Sequence, residues 1–164
     1  MSRAAQTVWK VVVAAKARTR ERLERELAEA RRYLEALTGA LEEAQAGVRY
    51  AEAQRLAHEE RIGELLSDAR GLSPSAYLNH DLYRAPLAQA LDAARSGLRS
   101  ASEAMDAQRR VVERLGMQVR RADAALDAAR EQLRTTTLAV QRRIDERADE
   151  EACEGAAARL RRGG

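Results

Sequence analysis

The stretch LERELAEARRYLEALTGAL, residues 23–41, decides the fold because its apolar residues recur at alternating intervals of four and three. Leucine or alanine stands at positions 23, 27, 30, 34, 37 and 41. The spacing continues to residue 72, and thirteen of its fifteen positions are apolar. A seven-residue repeat of this length is typical of a coiled-coil helix.

A second repeat of the same kind runs from Leu87 to Val140, where fourteen of sixteen positions are apolar. The segment between the repeats, GLSPSAYLNHDLYRAP at residues 71–86, holds both prolines of the chain. Gly71 suits the end of one helix and Pro86 the first turn of the next. The pattern therefore predicts an all-α fold, a long two-helix antiparallel coiled-coil hairpin. We expect a single domain over 1–164, with helices at about 3–71 and 86–158, a tip loop at about 72–85 and a disordered tail at about 159–164.

The composition supports this prediction. The 164 residues include 35 Ala, 19 Leu and 27 Arg, whereas aromatic residues make up only 3% and Phe is absent. Alanine, leucine and arginine are strong helix formers, and a compact core of this size normally relies on large aromatic side chains. The composition therefore disfavours a β-sandwich, a barrel or a Rossmann enzyme.

Two helix registers are compatible with the sequence. An apex near Leu78 places Leu27 opposite Ala129 and Ala30 opposite Leu126, so that large and small core residues alternate. A shift by one heptad instead sets the two polar interruptions Arg55 and Gln108 opposite each other. Both registers stay open on sequence grounds.

No residue pattern indicates a catalytic, cofactor or metal site. Neither lysine follows a glycine-rich loop, and His58, His80 and Cys153 lack metal-ligand spacing. His58 falls on a core position of the repeat, where we expect a tolerated polar interruption, and we expect His80 in a solvated turn. The paired carboxylates lie on the outer helix face, where no cleft desolvates them. We therefore expect a protein that is not an enzyme, with no cofactor and no metal.

Nucleic acid and membrane are disfavoured as partners. The net charge is only +3, because 29 basic residues stand among 26 acidic ones. Arg18, Arg20, Arg22 and Arg25 could form the basic region of a zipper, but Glu21 and Glu24 interrupt it. No stretch approaches the 18 apolar residues of a membrane span, so we expect no direct membrane insertion. The lone Cys153 gives no sign of an oxidising compartment.

Two regions stand out as candidate partner contacts. The first 20 residues carry five basic side chains and no acid, and we treat them as part of the mature helix rather than as a transit peptide. Charged residues also occupy core positions at this end, which predicts that it is splayed, frayed or occupied by a partner. At the predicted tip, Tyr77, Leu78, Leu82 and Tyr83 form either a plug that closes the coiled coil or an exposed contact patch.

The chain resembles the FliJ/YscO family of type III secretion stalk proteins, of the Hrp-associated kind. The resemblance covers nearly the whole chain. It rests on two long helices, on Val8-Trp9-Lys10 near the start and on the repeat at residues 22–27. The segment Ser73-Pro74-Ser75-Ala76-Tyr77-Leu78, which continues into Asp81-Leu82-Tyr83, contributes most to it.

This resemblance implies a cytoplasmic rod, peripheral to the inner-membrane secretion apparatus, with one end inside the hexameric export ATPase. It also implies contacts with the cytoplasmic domain of the export-gate protein and with free secretion chaperones. The residues that match the gate-contact region are Tyr77, Leu78, Leu82, Tyr83 and Leu87. Those that would face the ATPase are Trp9, Lys10, Lys16, Arg18 and Arg20. The alternative is a structural coiled coil whose hairpin opens and self-associates.

Overall fold

The computed structural model describes residues 3–68, 70–71 and 73–163. It contains three helices, α1 (Arg3–Ser67), α2 (Pro74–Asp81) and α3 (Arg84–Arg162), and these residues include no strand. The predicted all-α fold with two long helices is thereby confirmed. The chain divides into two compact units, one formed by residues 1–27 with 114–164 and the other by residues 28–113.

The heptad positions form the buried seam of both units. In the first repeat every described position except Arg55 is at least partly buried, and in the second repeat all sixteen are. Positions 69 and 72 lie outside the described residues. Alanine is frequent along the seam and allows the paired helices to approach closely. The buried apolar residues of the described chain are Leu27, Ala30, Ala51, Ile62, Leu91, Leu126 and Ala129.

In the unit of residues 28–113, the end of α1 runs antiparallel to the start of α3. Glu59 pairs with Arg84, and Glu52 pairs with Arg95 at 3.2 Å. Because the residue numbers of the first pair add to 143, the chain reverses close to Gly71. Both registers considered from the sequence were therefore wrong, since each placed the reversal at Leu78 or beyond.

The reversal occurs early because the described residues between α1 and α2 make local hydrogen bonds. Gly71 adopts a φ of 73°, and its N–H donates to the carbonyl of Asp68 at 2.9 Å. Ser73 then caps α2 by accepting from the N–H of Ala76 at 3.2 Å, and Pro74 occupies the first turn. The predicted loop at 72–85 thus contains a helix, α1 ends at Ser67 rather than near residue 71, and α3 begins at Arg84 rather than at 86.

Gln108, a polar residue on the seam, is satisfied within the same unit. Its Nε2 donates to the backbone carbonyl of Ala30 at 3.0 Å, whereas the other predicted interruption, Arg55, is exposed. A single polar group at a core position favours the one register in which it finds a partner. Gln108 therefore helps to fix the register of this unit.

In the unit of residues 1–27 and 114–164, the two helix segments are also antiparallel. Gln6 donates to Thr137 at 3.1 Å, and Arg20 pairs with Asp123. An apex at Leu78 would instead have placed residue 136 opposite Arg20. The predicted disordered tail from residue 159 is helical as far as Arg162. Three arginines in the last turn stabilise this end, because cations interact favourably with a helix C-terminus.

Candidate functional site

The predicted tip residues lie on α2, in the two-residue turn that follows it and in the first turn of α3, all in the unit of residues 28–113. We call Tyr77, Leu78, Leu82, Tyr83 and Leu87 the α2 surface. Leu78, Leu82 and Tyr83 are mostly exposed, whereas Tyr77 and Leu87 are half-buried. The structure brings these side chains into one short stretch, but beside the end of α1 rather than at the apex of the turn.

Arg84 holds α2 in place. Its guanidinium donates to both carboxylate oxygens of Glu59 at 3.0 Å, to Asp81 at 3.0 Å and to the hydroxyl of Tyr77 at 3.4 Å. The hydrogen bond to Glu59 is the main cause that raises the pKa of Arg84. A two-pronged contact of this kind fixes orientation as well as distance. One side chain therefore connects α1, α2 and α3.

His58 provides the second connection between α1 and α2. Its Nε2 lies 2.8 Å from the backbone carbonyl of His80 and donates to it, and the edge of its ring meets Tyr83 with the ring centroids 6.0 Å apart. His58 was predicted as a tolerated interruption and His80 as part of a solvated turn. His80 instead lies half-buried in α2. The described residues contain no group of three side chains suited to a metal ion.

An open groove of about 450 Å³ lies beside this contact. Tyr83 and Leu87 supply its apolar wall, and Glu60 and Glu64 place carboxylates along it. Tyr77 and Tyr83 pack against neighbouring side chains, whereas Leu78 and Leu82 face solvent.

The predicted contacts near the start of α1 separate into two groups. Trp9 and Arg20 are half-buried, and Arg20 binds Asp123 and Glu24, which raises its pKa chiefly through the hydrogen bond to Asp123. Lys10, Lys16 and Arg18 are exposed, and none forms an ion pair in the described part of the chain. We call these three residues the basic end.

The sequence prediction missed an apolar face on the same helix. Ala4, Val8, Val11 and Ala15 are all exposed, and Val8 and Val11 retain 60% and 61% of their accessible surface. We call them the outer stripe. Their spacing of four, three and four residues is that of a second heptad seam, so the signal was present in the sequence.

The family model of HrpB7, described as a bacterial type III secretion protein, matches residues 4–160 of the chain. The match includes α2, all but the first residue of α1 and all but the last two residues of α3. Neither a curated protein nor a solved structure is significantly similar to the chain. No helix among the described residues is long and apolar enough to cross a membrane.

Proposed function

Because the chain belongs to the HrpB7 family of bacterial type III secretion proteins, we propose that it is a cytoplasmic coiled-coil stalk of the secretion apparatus. In this proposal it couples the hexameric export ATPase to the cytoplasmic domain of the export-gate protein. It acts by binding rather than by catalysis. Free secretion chaperones are a further class of partner.

The observation that carries the ATPase contact is the charge at the start of α1. Residues 3–20 contain five basic side chains and no acid, and the three of the basic end make no ion pair in the described structure. Exposed cations steer a protein toward an acidic surface and raise its association rate. We expect the lumen of an ATPase ring that accepts this end to be acidic.

The α2 surface supports a second contact, with the gate protein. Its exposed leucines and Tyr83 provide an apolar anchor, and Arg84 and His58 hold that anchor rigidly against α1. Rigid aromatic and aliphatic anchors contribute most of the free energy at protein interfaces. A stalk needs such preorganisation to transmit a rotation or displacement to its partner.

The substitutions Lys10→Glu, Lys16→Glu and Arg18→Glu together are expected to weaken binding to the export ATPase of the same apparatus by at least about tenfold. These substitutions reverse the sign of the electrostatic field at the exposed basic end. Biolayer interferometry with the purified hexamer measures the effect. Arg20 is left unchanged because its loss would also break the pair with Asp123.

The matched control changes three exposed arginines of the other unit, Arg31, Arg32 and Arg49, to glutamate. This control alters the net charge by the same amount as the first variant. If both variants lost affinity equally, the effect would be one of net charge, and the proposed contact would be contradicted. Circular dichroism should show the same helix content for both variants. Unchanged binding of the first variant would exclude the basic end from the interface.

For the gate contact, Tyr83→Ala together with Leu82→Ser should reduce binding to the purified gate domain by about tenfold or more, because it removes the exposed anchor. Tyr50→Ala is the control, since Tyr50 lies in the same unit and is similarly exposed, at 68% against 63% for Tyr83. Binding is measured by isothermal titration calorimetry. An equal loss on changing Tyr50 would contradict a specific role for the α2 surface.

A further inference from the structure

The two sides of the coiled coil in the unit of residues 28–113 differ in charge. On one side, the positions beside the seam run from Ala36 to Ala57 on α1 in steps of four and three residues. On α3 they run from Ala90 to Ala107 in steps of three and four. All thirteen residues are exposed, and Glu43 is the only charged one among them. We call these thirteen residues the open face.

The opposite side of the seam is charged and bridged. Its eleven positions, between residues 38 and 56 on α1 and between residues 92 and 106 on α3, include seven charged side chains. Two of them, Glu52 and Arg95, form an ion pair across the helices at 3.2 Å. The solvated flanks of a coiled coil ordinarily carry charge, as this side does. The open face is therefore suited to contact with another helix rather than with water.

Glycine residues leave space on the open face. Gly47 of α1 and Gly97 of α3 lie on facing stretches of the two helices, and a Cβ at either would meet no atom within 4 Å. Glycine inside a helix is destabilising, and contact between α1 and α3 does not require it at either position. Glycine and alanine let an outside helix approach closely and accept large side chains from it.

The open face continues into the groove of about 450 Å³ beside α2. Gln54 and Ala57 belong to the open face and also line the groove, with Tyr83 and Leu87 on its other wall. Tyr83 retains 63% of its accessible surface, so an aromatic ring is available at this end. Together the open face and the groove extend along α1 for about 22 residues, or about 33 Å. One helix of this length can cover both.

The charges at the groove favour a basic occupant. Glu60 and Glu64 are exposed, line the groove one helical turn apart, and form no ion pair within the described part of the chain. Arg61 is the one arginine among the lining residues named here, and Glu43 adds a third carboxylate on the open face. A basic side chain that enters the groove meets two carboxylates and the ring of Tyr83, which attracts cations.

We propose that the open face and the groove bind one amphipathic helix of a partner protein, with large aliphatic residues along its seam and basic residues on its flanks. This helix packs against α1 and α3 and completes a three-helix bundle in the unit of residues 28–113. Its aliphatic side chains pack over Gly47 and Gly97, and a basic side chain lies between Glu60 and Glu64. The side bridged by Glu52 and Arg95 stays in water.

The test is fluorescence anisotropy of a labelled peptide of about three heptads, with leucine at positions a and d and lysine on the flanks. It is added to the purified full-length chain at about 50 mM salt, and a twin peptide has glutamate in place of lysine. We expect the lysine peptide to bind at least about tenfold more tightly. Because the chain has a net charge of +3, a nonspecific effect of net charge would favour the glutamate peptide.

The shape of the open face is tested by filling it. Gly47→Gln together with Ala90→Gln should weaken binding of the lysine peptide at least about tenfold, because the new side chains occupy the space of the incoming helix. The matched control is Gly63→Gln together with Ala88→Gln, which makes the same two changes at exposed positions on the charged side. It should bind the peptide as wild type does. Circular dichroism should show the same helix content for both variants.

The acidic groove is tested by neutralising it. Glu60→Gln together with Glu64→Gln should also weaken binding of the lysine peptide about tenfold. The matched control, Glu35→Gln with Glu42→Gln, removes two exposed acids from the charged side of the same helix and should have no effect.

Three results would overturn the proposal. The first is equal binding of the two peptides, and the second is an equal loss of affinity in a variant and its control. The third is self-association of the chain that the Gly47 and Ala90 substitutions abolish, since the occupant would then be a second copy. No ATPase or gate protein is present in these experiments, so their outcome is independent of the proposed stalk function.

Discussion

Replacing Ile62 with alanine is expected to lower the free energy of unfolding by about 3 kcal/mol. Ile62 is almost fully buried, with 2% of its surface exposed, as is Leu91. Its loss removes apolar burial and leaves a cavity that two long helices cannot close by local movement. Urea unfolding followed by circular dichroism at 222 nm, about the helical minimum, measures the change.

Leu56 provides the matched comparison. It lies on the same helix in the same unit, but it is 60% exposed. Leu56→Ala should change the free energy of unfolding by no more than about 0.5 kcal/mol, because it vacates no buried volume. If both substitutions had the same effect, burial along the heptad seam would not be what stabilises this unit.

Two glycines should respond to alanine in opposite directions. Gly71→Ala is expected to destabilise the protein by about 1 kcal/mol, because a Cβ is disfavoured at its φ of 73°. Gly63 lies inside α1, and a Cβ there would meet no atom within 4 Å. Gly63→Ala should therefore stabilise the protein by about 0.5–1 kcal/mol through helix propensity alone.

The difference between the two glycine variants is more informative than either value. Both substitutions add one methyl group to a site with open space, so only the backbone conformation distinguishes them. In thermal and urea unfolding, the Gly63 variant should be more stable than wild type and the Gly71 variant less stable. A stabilising effect of alanine at Gly71 would show that the left-handed turn does not determine where the chain reverses.

The sequence was sufficient to predict the two long helices and their buried faces. Every described position of the second repeat is at least partly buried, from Leu87 to Val140, because a heptad pattern is a local property of one helix. The resemblance to a Hrp-associated type III secretion protein is also confirmed by the family match. Both conclusions depend on patterns that are spread over many residues.

The register was missed because it depends on a few residues in the turn. The sequence prediction placed the apex near Leu78, within the segment of residues 71–86 that holds both prolines. The reversal instead depends on the left-handed backbone of Gly71 and on the cap at Ser73. Moving the apex by about seven residues lengthens one helix and shortens the other by that number. Each residue therefore faces a partner about two heptads away from the predicted one.

The candidate contacts were only partly predictable for a related reason. Sequence spacing showed which side chains are basic or aromatic, but not which of them are engaged within the fold. Arg20 binds Asp123, which is 103 residues away, and Arg84 binds Glu59, which is 25 residues away. The helix register determines which residues form such pairs. Because the predicted apex was wrong, these ion pairs were not predicted.

The separation between paired residues also bears on how the chain folds. The contact between Glu59 and Arg84 closes a loop of 25 residues, whereas that between Gln6 and Thr137 spans 131. Closing the longer loop directly would cost about 1.5 kcal/mol more in chain entropy, which disfavours it as a first event. We therefore expect folding to begin beside the turn at Gly71 and to proceed outward as each new helical turn finds its partner already close. In such a zipper the last contacts to form, and the first to open, are those of Gln6 and Thr137.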